Sequence, residues 1–287
     1  KLLLHADDSA LLVSGKNPTE ISNALSKELE SCSQWLVDNK LSLHLGKTEA
    51  ILFGSKRKLR KVKSFNVVCS GTPIENQSSV KYLGATLDQC LSGESMATSV
   101  IQKTNSRLKF LYRQARTFTE ITKKTLCTSL IQCHFDYSCS SWYSSLTKAL
   151  KMKLQVSQNN MVRFIRGLDS RTHIGQTLLN SLGMLNVCDR VTQLKMNHVY
   201  KIFNNSSSPY MSDHFERVYD SHNHFTRHSL HNFVLPKPAG RVQDSFYYTG
   251  ISHWNSLPSF IKCASSQSCF KHKLKKLLSE KAHFINN

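Results

Sequence analysis

The chain has 287 residues, 38 of them Lys or Arg against 19 Asp or Glu, for a formal net charge of +19. That length suffices for one large or two ordinary domains with a core that needs no disulfide or metal staple. A hydrophobic share of 40% excludes a disordered chain, and no apolar run approaches the ~18 residues of a membrane span.

The excess charge is concentrated. Residues 101–200 carry net +11, against +2 before them and +6 after. A polyanion bound by the middle third is the reading this favours, with nucleic acid as the first choice over a merely solubilising surface. The nine cysteines are scattered, odd in number and without a C-x-x-C pair. They read as reduced thiols of an intracellular protein. The stretch His222, His224, His228 and His231 has no Cys partner at zinc spacing, which argues against metal ligation. The opening Lys1-Leu2-Leu3-Leu4-His5 lacks Met and a long apolar core. It reads as a strand interrupted, and the chain as a piece of a longer protein.

In chain order, Lys1–Leu4 and Ala10–Val13 are apolar runs around the polar tip His5-Ala6-Asp7-Asp8-Ser9, the pattern of a β-hairpin. Asn17-Pro18 opens a helix in which Ile21, Leu25, Leu29, Cys32 and Leu36 share a face, ending near Asn39. Leu41, Leu43 and Leu45 alternate as a strand would, and Ala50–Phe53 predicts another. Lys56–Lys63 reads as a basic loop, Phe65–Cys69 as a strand, and Ser70-Gly71-Thr72-Pro73 as a turn. Val80–Leu83 and Ala85–Leu87 are short strands around Gly84. After Gly93 the texture is helical. Ile101, Leu108, Leu111, Ala115 and Phe118 share one face, with Lys103, Arg107, Lys109, Arg113 and Arg116 mostly opposite. Thr117-Phe118-Thr119-Glu120 predicts a capping box for a second helix running to about His134, and Lys123 and Lys124 add charge there. A third helix runs from about Lys148 to a stop at Gly167. Further helices are expected at Val187–Phe203 and around Phe270–Leu278, with a turn and buried aromatic at Trp254–Pro258.

Asp7 and Asp8 carry the chemistry. Two carboxylates ~4 Å apart repel by about 4 kcal/mol at an effective dielectric of 20, a cost relieved by a cation. Hard oxygen ligands on a short turn suit Mg²⁺, which keeps waters and shares substrate phosphates. The plain alternative is that Asp simply favours turns.

The segment Leu2-Leu3-Leu4-His5-Ala6-Asp7-Asp8-Ser9-Ala10-Leu11-Leu12 resembles the Y-A-D-D hairpin of reverse transcriptases from non-LTR (LINE-type) retrotransposons. The order that follows is also similar to that family: Trp35-Leu36, Asn39–Leu43, Lys47-Thr48-Glu49, Leu52-Phe53, Lys81-Tyr82-Leu83-Gly84 and Asp88. Phe135-Asp136-Tyr137, Trp142, Asn159, Arg163, Arg166 and Trp254-Asn255-Leu257-Pro258 resemble its helical part. The resemblance implies an α+β fold. Residues 1–91 would be the end of the palm (a β-hairpin, a helix and short antiparallel strands), 92–168 a helical thumb, and 169–287 a mainly helical C-terminal region. It implies RNA-directed DNA polymerase activity, a two-metal nucleotidyl transfer with Mg²⁺ and dNTPs, and RNA template and DNA primer as partners. The setting would be the nucleus and cytoplasm. Asp7 would ligate the catalytic Mg²⁺ with Asp8 beside it. Lys47 would lie near the triphosphate, or be an ordinary exposed Lys. Lys81, Tyr82, Leu83 and Gly84 would form the primer grip. Lys103, Arg107, Lys109, Arg113, Arg116, Lys123 and Lys124 would contact phosphates without reading sequence. His5 stands where the family has Tyr, and the family's first catalytic Asp has no counterpart within residues 1–287. The chain is therefore expected not to polymerise alone. The rival reading is a non-catalytic, nucleic-acid-binding remnant of a retroelement.

Overall fold

Tight two-residue turns and one capped helix shape the first part of the chain. In the computed structural model, which describes residues 1–221, 229–237 and 240–284, the chain forms two compact units, Lys1–Met96 and Ala97–Asn287. The fold is mixed α+β with a few short strands.

In the first unit, β1 (Leu2–His5) and β2 (Asp8–Leu11) form the expected hairpin, with Leu3 opposite Ala10 and His5 opposite Asp8. Helix α1 (Pro18–Asp38) starts where Asn17 accepts from the Glu20 N–H at 2.8 Å while the Glu20 carboxylate accepts from the Lys16 N–H. The first bond satisfies a donor that a bare helix end leaves open, and the second ties the residue before the cap to the first turn. It ends at Asn39, as the sequence implies.

The alternation at Leu41, Leu43 and Leu45 makes no strand. Residues 41–44 are irregular, and Leu45–Lys47 form a 3₁₀ turn. The alternation serves packing instead: Leu43 and Leu45 lie against the core while Leu41 stays exposed. The strand expected at Ala50–Phe53 is the two-residue β3 (Glu49–Ala50). The basic loop contains a helical turn, α2 (Lys56–Leu59), capped by Ser55. The strand expected at Phe65–Cys69 is β4 (Val67–Cys69), joined to β5 (Thr72–Asn76) through Ser70-Gly71, both at positive φ.

Strand β5 is central, parallel to β3 and antiparallel to β4. Pro73 is tolerated there because β3 pairs only with Glu75 and Asn76, so the proline lies beyond its end. The core of Ala50, Leu52, Phe65, Val67, Cys69 and Ile74 is covered by Ile21, Leu25 and Leu29 of α1. Glu30 of α1 accepts from the Ser70 N–H and hydroxyl, and these bonds hold its carboxyl below the usual range. Strands β6 (Ser79–Tyr82) and β7 (Ala85–Asp88) close the unit as a third hairpin.

Helix α3 (Glu94–Tyr112) buries Met96, Ala97, Val100, Thr104, Leu108 and Leu111, a stripe at helical spacing. The capping residue of α4 (Glu120–Cys127) is Thr119, whose hydroxyl accepts from the Thr122 N–H. It is not Thr117, whose hydroxyl donates to Gln114 O and ends the preceding turn. One widened i→i+5 turn (Thr128–Gln132) leads into α5 (Cys133–Asp136), followed by α6 (Cys139–Trp142). Helix α7 (Lys148–Arg166) runs from the Thr147 cap to Gly167, left-handed at φ 65°. It is followed by α8 (Gln176–Ser181) and α9 (Val187–Phe203), the latter over its expected span. Then come α10 (Pro209–Ser212), α11 (Val218–Ser221), α12 (Phe246–Asn255), α13 (Ser259–Lys262) and α14 (Gln267–Phe284). Met196, Val199 and Tyr200 of α9 share a core with Ile251 and Trp254 of α12 and Phe270 and Leu274 of α14.

Lys195, also on α9, is 1% exposed. Its ammonium donates to the Ser144 and Thr249 hydroxyls at 2.8 and 2.7 Å, both neutral. Burial pushes its pKa down to about 8; Lys151 adds to this, and the Cys139 and Cys188 thiols oppose it. The unfolded chain then binds more protons between that value and the ordinary 10.5. The penalty, about 3 kcal/mol, is complete below pH 8 and fades as pH rises to 10.5. Urea unfolding of wild type and Lys195→Met should therefore differ with pH, the wild type gaining about 2 kcal/mol on the variant between pH 7.5 and 10. An unchanged difference would refute the assignment.

Candidate functional site

The tip of the first hairpin is Ala6-Asp7, a two-residue turn with Ala6 at φ 53°. Positive φ at the first turn position alone ordinarily calls for Gly, so Ala6 holds the bend at some cost. Asp7 is the second turn residue and Asp8 the first residue of β2, directly across from His5. All of these residues are exposed. So are Leu2 and Leu4, the latter at 71%.

Two adjacent carboxylates open to solvent match the hard-oxygen chemistry of Mg²⁺. As a ligand set they are partial: among the described residues no group of three His, Cys, Asp or Glu side chains is placed to hold a metal. Water and a substrate phosphate would fill the remaining positions on such an ion.

Lys47 ends the 3₁₀ turn and is exposed. Lys81 and Tyr82 end β6, and Leu83-Gly84 are the turn to β7, at φ 46° and 80°. Both turn positions require the left-handed region, which Gly84 adopts freely and Leu83 under strain. Asp88, at the end of β7, binds the next loop. Its carboxylate accepts from the Cys90, Ser92 and Gly93 N–H groups and the Ser92 hydroxyl, at 3.0–3.1 Å. Four donors on one carboxylate make it a fixed anchor for the start of α3.

In the second unit, Lys103, Arg107, Lys109, Arg113, Arg116 and Lys124 are all exposed. Lys103, Arg107 and Phe110 follow one another at steps of four and three, hence along one face of α3. Phe110 is 60% exposed within that stripe. The imidazole of His134 titrates below its ordinary range, first through burial and then through the charges of Lys103 and Arg107. The stripe therefore borders α5. Lys123 differs from the others. It is half-buried, with its ammonium 5.6 Å from the centre of the Phe164 ring, which Tyr112 also meets edge-on.

Several residues carrying the resemblance are tied down within the second unit. Asp136 forms a two-point ion pair with Arg190 (2.7 and 3.1 Å) and accepts from Gln132. Arg166 pairs with Glu120 at 2.8 Å and donates to Ser181. Arg163 donates to Thr172 O and Asn160, and Trp142 Nε1 to Tyr137 O. Asn255 exchanges two bonds with the Phe233 backbone, accepting from N–H at 3.0 Å and donating to C=O at 2.8 Å. Trp254 is fully buried and donates to His231 O.

Of the His-rich stretch, His222, His224 and His228 lie outside the described residues. His231 Nε2 is 3.4 Å from the Cys263 thiol, a Cys neighbour supplied in space rather than in sequence. Sequence reading missed Arg190, Lys195 and Lys262, the last 4% exposed and bonded to Asn232 and Asn255 O. Lys195 and Lys262 lie on faces where the apolar period continues through them, so only an interrupted stripe marked them.

The position of the α3 stripe is testable through His134. In Lys103→Glu/Arg107→Glu, the His134 pKa should rise, because repulsion becomes attraction. Histidine ring NMR across pH 4–9 reads this, and an unmoved titration would place the stripe elsewhere. Compared with known proteins, the chain matches no family model, and no curated sequence or solved structure is significantly similar to it.

Proposed function

We propose that the chain is a portion of a reverse transcriptase of the non-LTR retrotransposon kind, whose parent activity is RNA-directed DNA synthesis from a 3′-hydroxyl primer. The observation that carries this reading is the hairpin register, which sets Asp7 in a two-residue tip and Asp8 opposite His5. Mg²⁺ would be held by Asp7, with Asp8 beside it, and would supply Lewis-acid stabilisation of a transferring phosphoryl group. The carboxylates' part is to fix that ion on a bend too short to swing. Lys47, exposed on its turn, would face the triphosphate. Lys81 and the Leu83-Gly84 turn would lie along the primer end, where a residue without Cβ lets backbone approach closely. The cations of α3 and α4 would hold the template–primer backbone.

The second reading is a nucleic-acid-binding module without chemistry. It is favoured by the partial ligand set at the hairpin tip.

Fluorescence anisotropy with a labelled RNA–DNA hybrid tests the binding common to both. The logarithm of affinity should fall linearly with the logarithm of salt. Lys103→Glu/Arg107→Glu/Arg113→Glu should lose about a hundredfold, at roughly 1 kcal/mol per phosphate contact, and Asp7→Asn nothing. Absence of salt-dependent binding would remove both readings. Primer extension with an RNA template, dNTPs and Mg²⁺ separates the parts: no extension by residues 1–287 alone is expected. Robust extension abolished by Asp7→Asn would show that two carboxylates suffice.

A further inference from the structure

We propose that the second unit carries a seat for a terminal phosphate ester in the groove between α4 with its widened turn and the α8–α9 region, flanked by α14. This deepens the nucleic-acid reading and rests on it for the natural ligand. Two adjoining cavities form the groove. The inner one, about 210 Å³, is lined by Lys124, Thr128, Gln132, Arg190, Gln193 and Lys275. The outer one, about 420 Å³, shares Lys124, Thr128 and Leu182 and adds Ile121, Thr125, Ser129 and Ser181, with the Glu120 carboxylate on its wall.

The sequence aligns the inner wall. Lys124, Thr128 and Gln132 are four apart, and the i→i+5 turn at Thr128–Gln132 keeps all three along one side. Across from them, the left-handed Gly183 lets the 182–185 segment turn, and a Cβ there would come within 3.8 Å of the Lys275 ammonium.

Charge decides the ligand. Each carboxylate beside the groove is already committed: Glu120 to Arg166, and Asp136 to Arg190. Lys124 and Lys275 form no ion pair with a described residue. Two ammonium groups and a paired guanidinium thus line one small cavity, where the like charges repel and an anion relieves them. A terminal phosphate carries up to two charges and several acceptor oxygens, enough to engage both lysines together. The outer cavity has apolar walls at Ile121 and Leu182 and hydroxyls at Thr125 and Ser129, a place for the sugar and ring behind that phosphate. Such a group comes from a free nucleotide or from the phosphorylated end of a strand.

Isothermal titration of the full chain with AMP and with a ten-nucleotide RNA bearing a 5′-phosphate or a 5′-hydroxyl tests this. The phosphorylated RNA should bind ~10-fold tighter than its hydroxyl counterpart. Lys124→Gln/Lys275→Gln should abolish that ratio, and Lys124→Arg/Lys275→Arg should restore it. Lys103→Glu should weaken both RNAs and leave the ratio intact. Thermal unfolding of each variant monitors the fold. AMP competing with the end preference assigns the seat to free nucleotides, and an end preference without AMP binding assigns it to strand ends; either supports the seat. Equal binding of both RNAs by the wild type, with no AMP binding, overturns the seat and leaves the nucleic-acid reading standing. Binding of neither RNA overturns that reading instead. AMP binding that the Gln pair removes then still upholds the seat, and its absence ends it.

Discussion

Burial of α9 on several sides is the constraint on which the second unit depends. Its Met196, Val199, Tyr200 and Ile202 are almost wholly removed from water. Tyr200 stacks on Phe270 of α14 at 4.4 Å and donates its hydroxyl to Ala264 O, so one residue joins two later elements to the central helix. At the other end, Arg190 ties α9 to α5 through Asp136. An ion pair of this kind adds little net stability, yet breaking one partner leaves the other uncompensated, so it fixes register more than it adds energy. The groove beside α4 exists because these fixtures hold its far wall in place.

The first unit is governed instead by backbone geometry. Its three hairpins turn in two residues each, at Ala6-Asp7, Ser70-Gly71 and Leu83-Gly84. Glycine supplies the left-handed conformation at the second position of two of them, while Ala6, Ser70 and Leu83 adopt it against their preference. Such turns place their residues tightly, which is what a pair of carboxylates needs in order to act on one ion.

Legibility in the sequence followed the strength of local signals. Helices α1, α7 and α9 are readable from long apolar periods, reinforced at α1 by Asn17-Pro18 and at α7 by the stop at Gly167, while the caps Thr147 and Asn186 emerge only in the structure. The hairpins at Ala6-Asp7 and Leu83-Gly84 are readable from paired apolar runs, but β5 is not, because Thr72-Pro73 reads as part of the turn that precedes it. The stretch Leu41–Leu45 misled because a period of two records which side chains face a core, not whether a strand pairs there. Thr117 misled because two threonines two apart offer the same cap, and the choice is made by where α3 ends. At the candidate site, Asp7 and Asp8 stand out in sequence because adjacent charges are costly. The partners of Lys195 and Arg190 did not, since each comes from an element dozens of positions away. Long-range pairing leaves no periodic trace.

Asn255 has a consequence of a different kind. Its amide serves Phe233 as a neighbouring strand would, giving one donor and one acceptor to a peptide whose other edge bridges Arg217. Hydrolysis of that amide to a carboxylate, the ordinary ageing reaction of asparagine, would turn the donor into a second acceptor facing the Phe233 carbonyl. That one exchange would thus convert a bond that fastens the 231–234 segment into a repulsion, leaving Trp254 Nε1 on His231 O and the bridge to Arg217 to carry it.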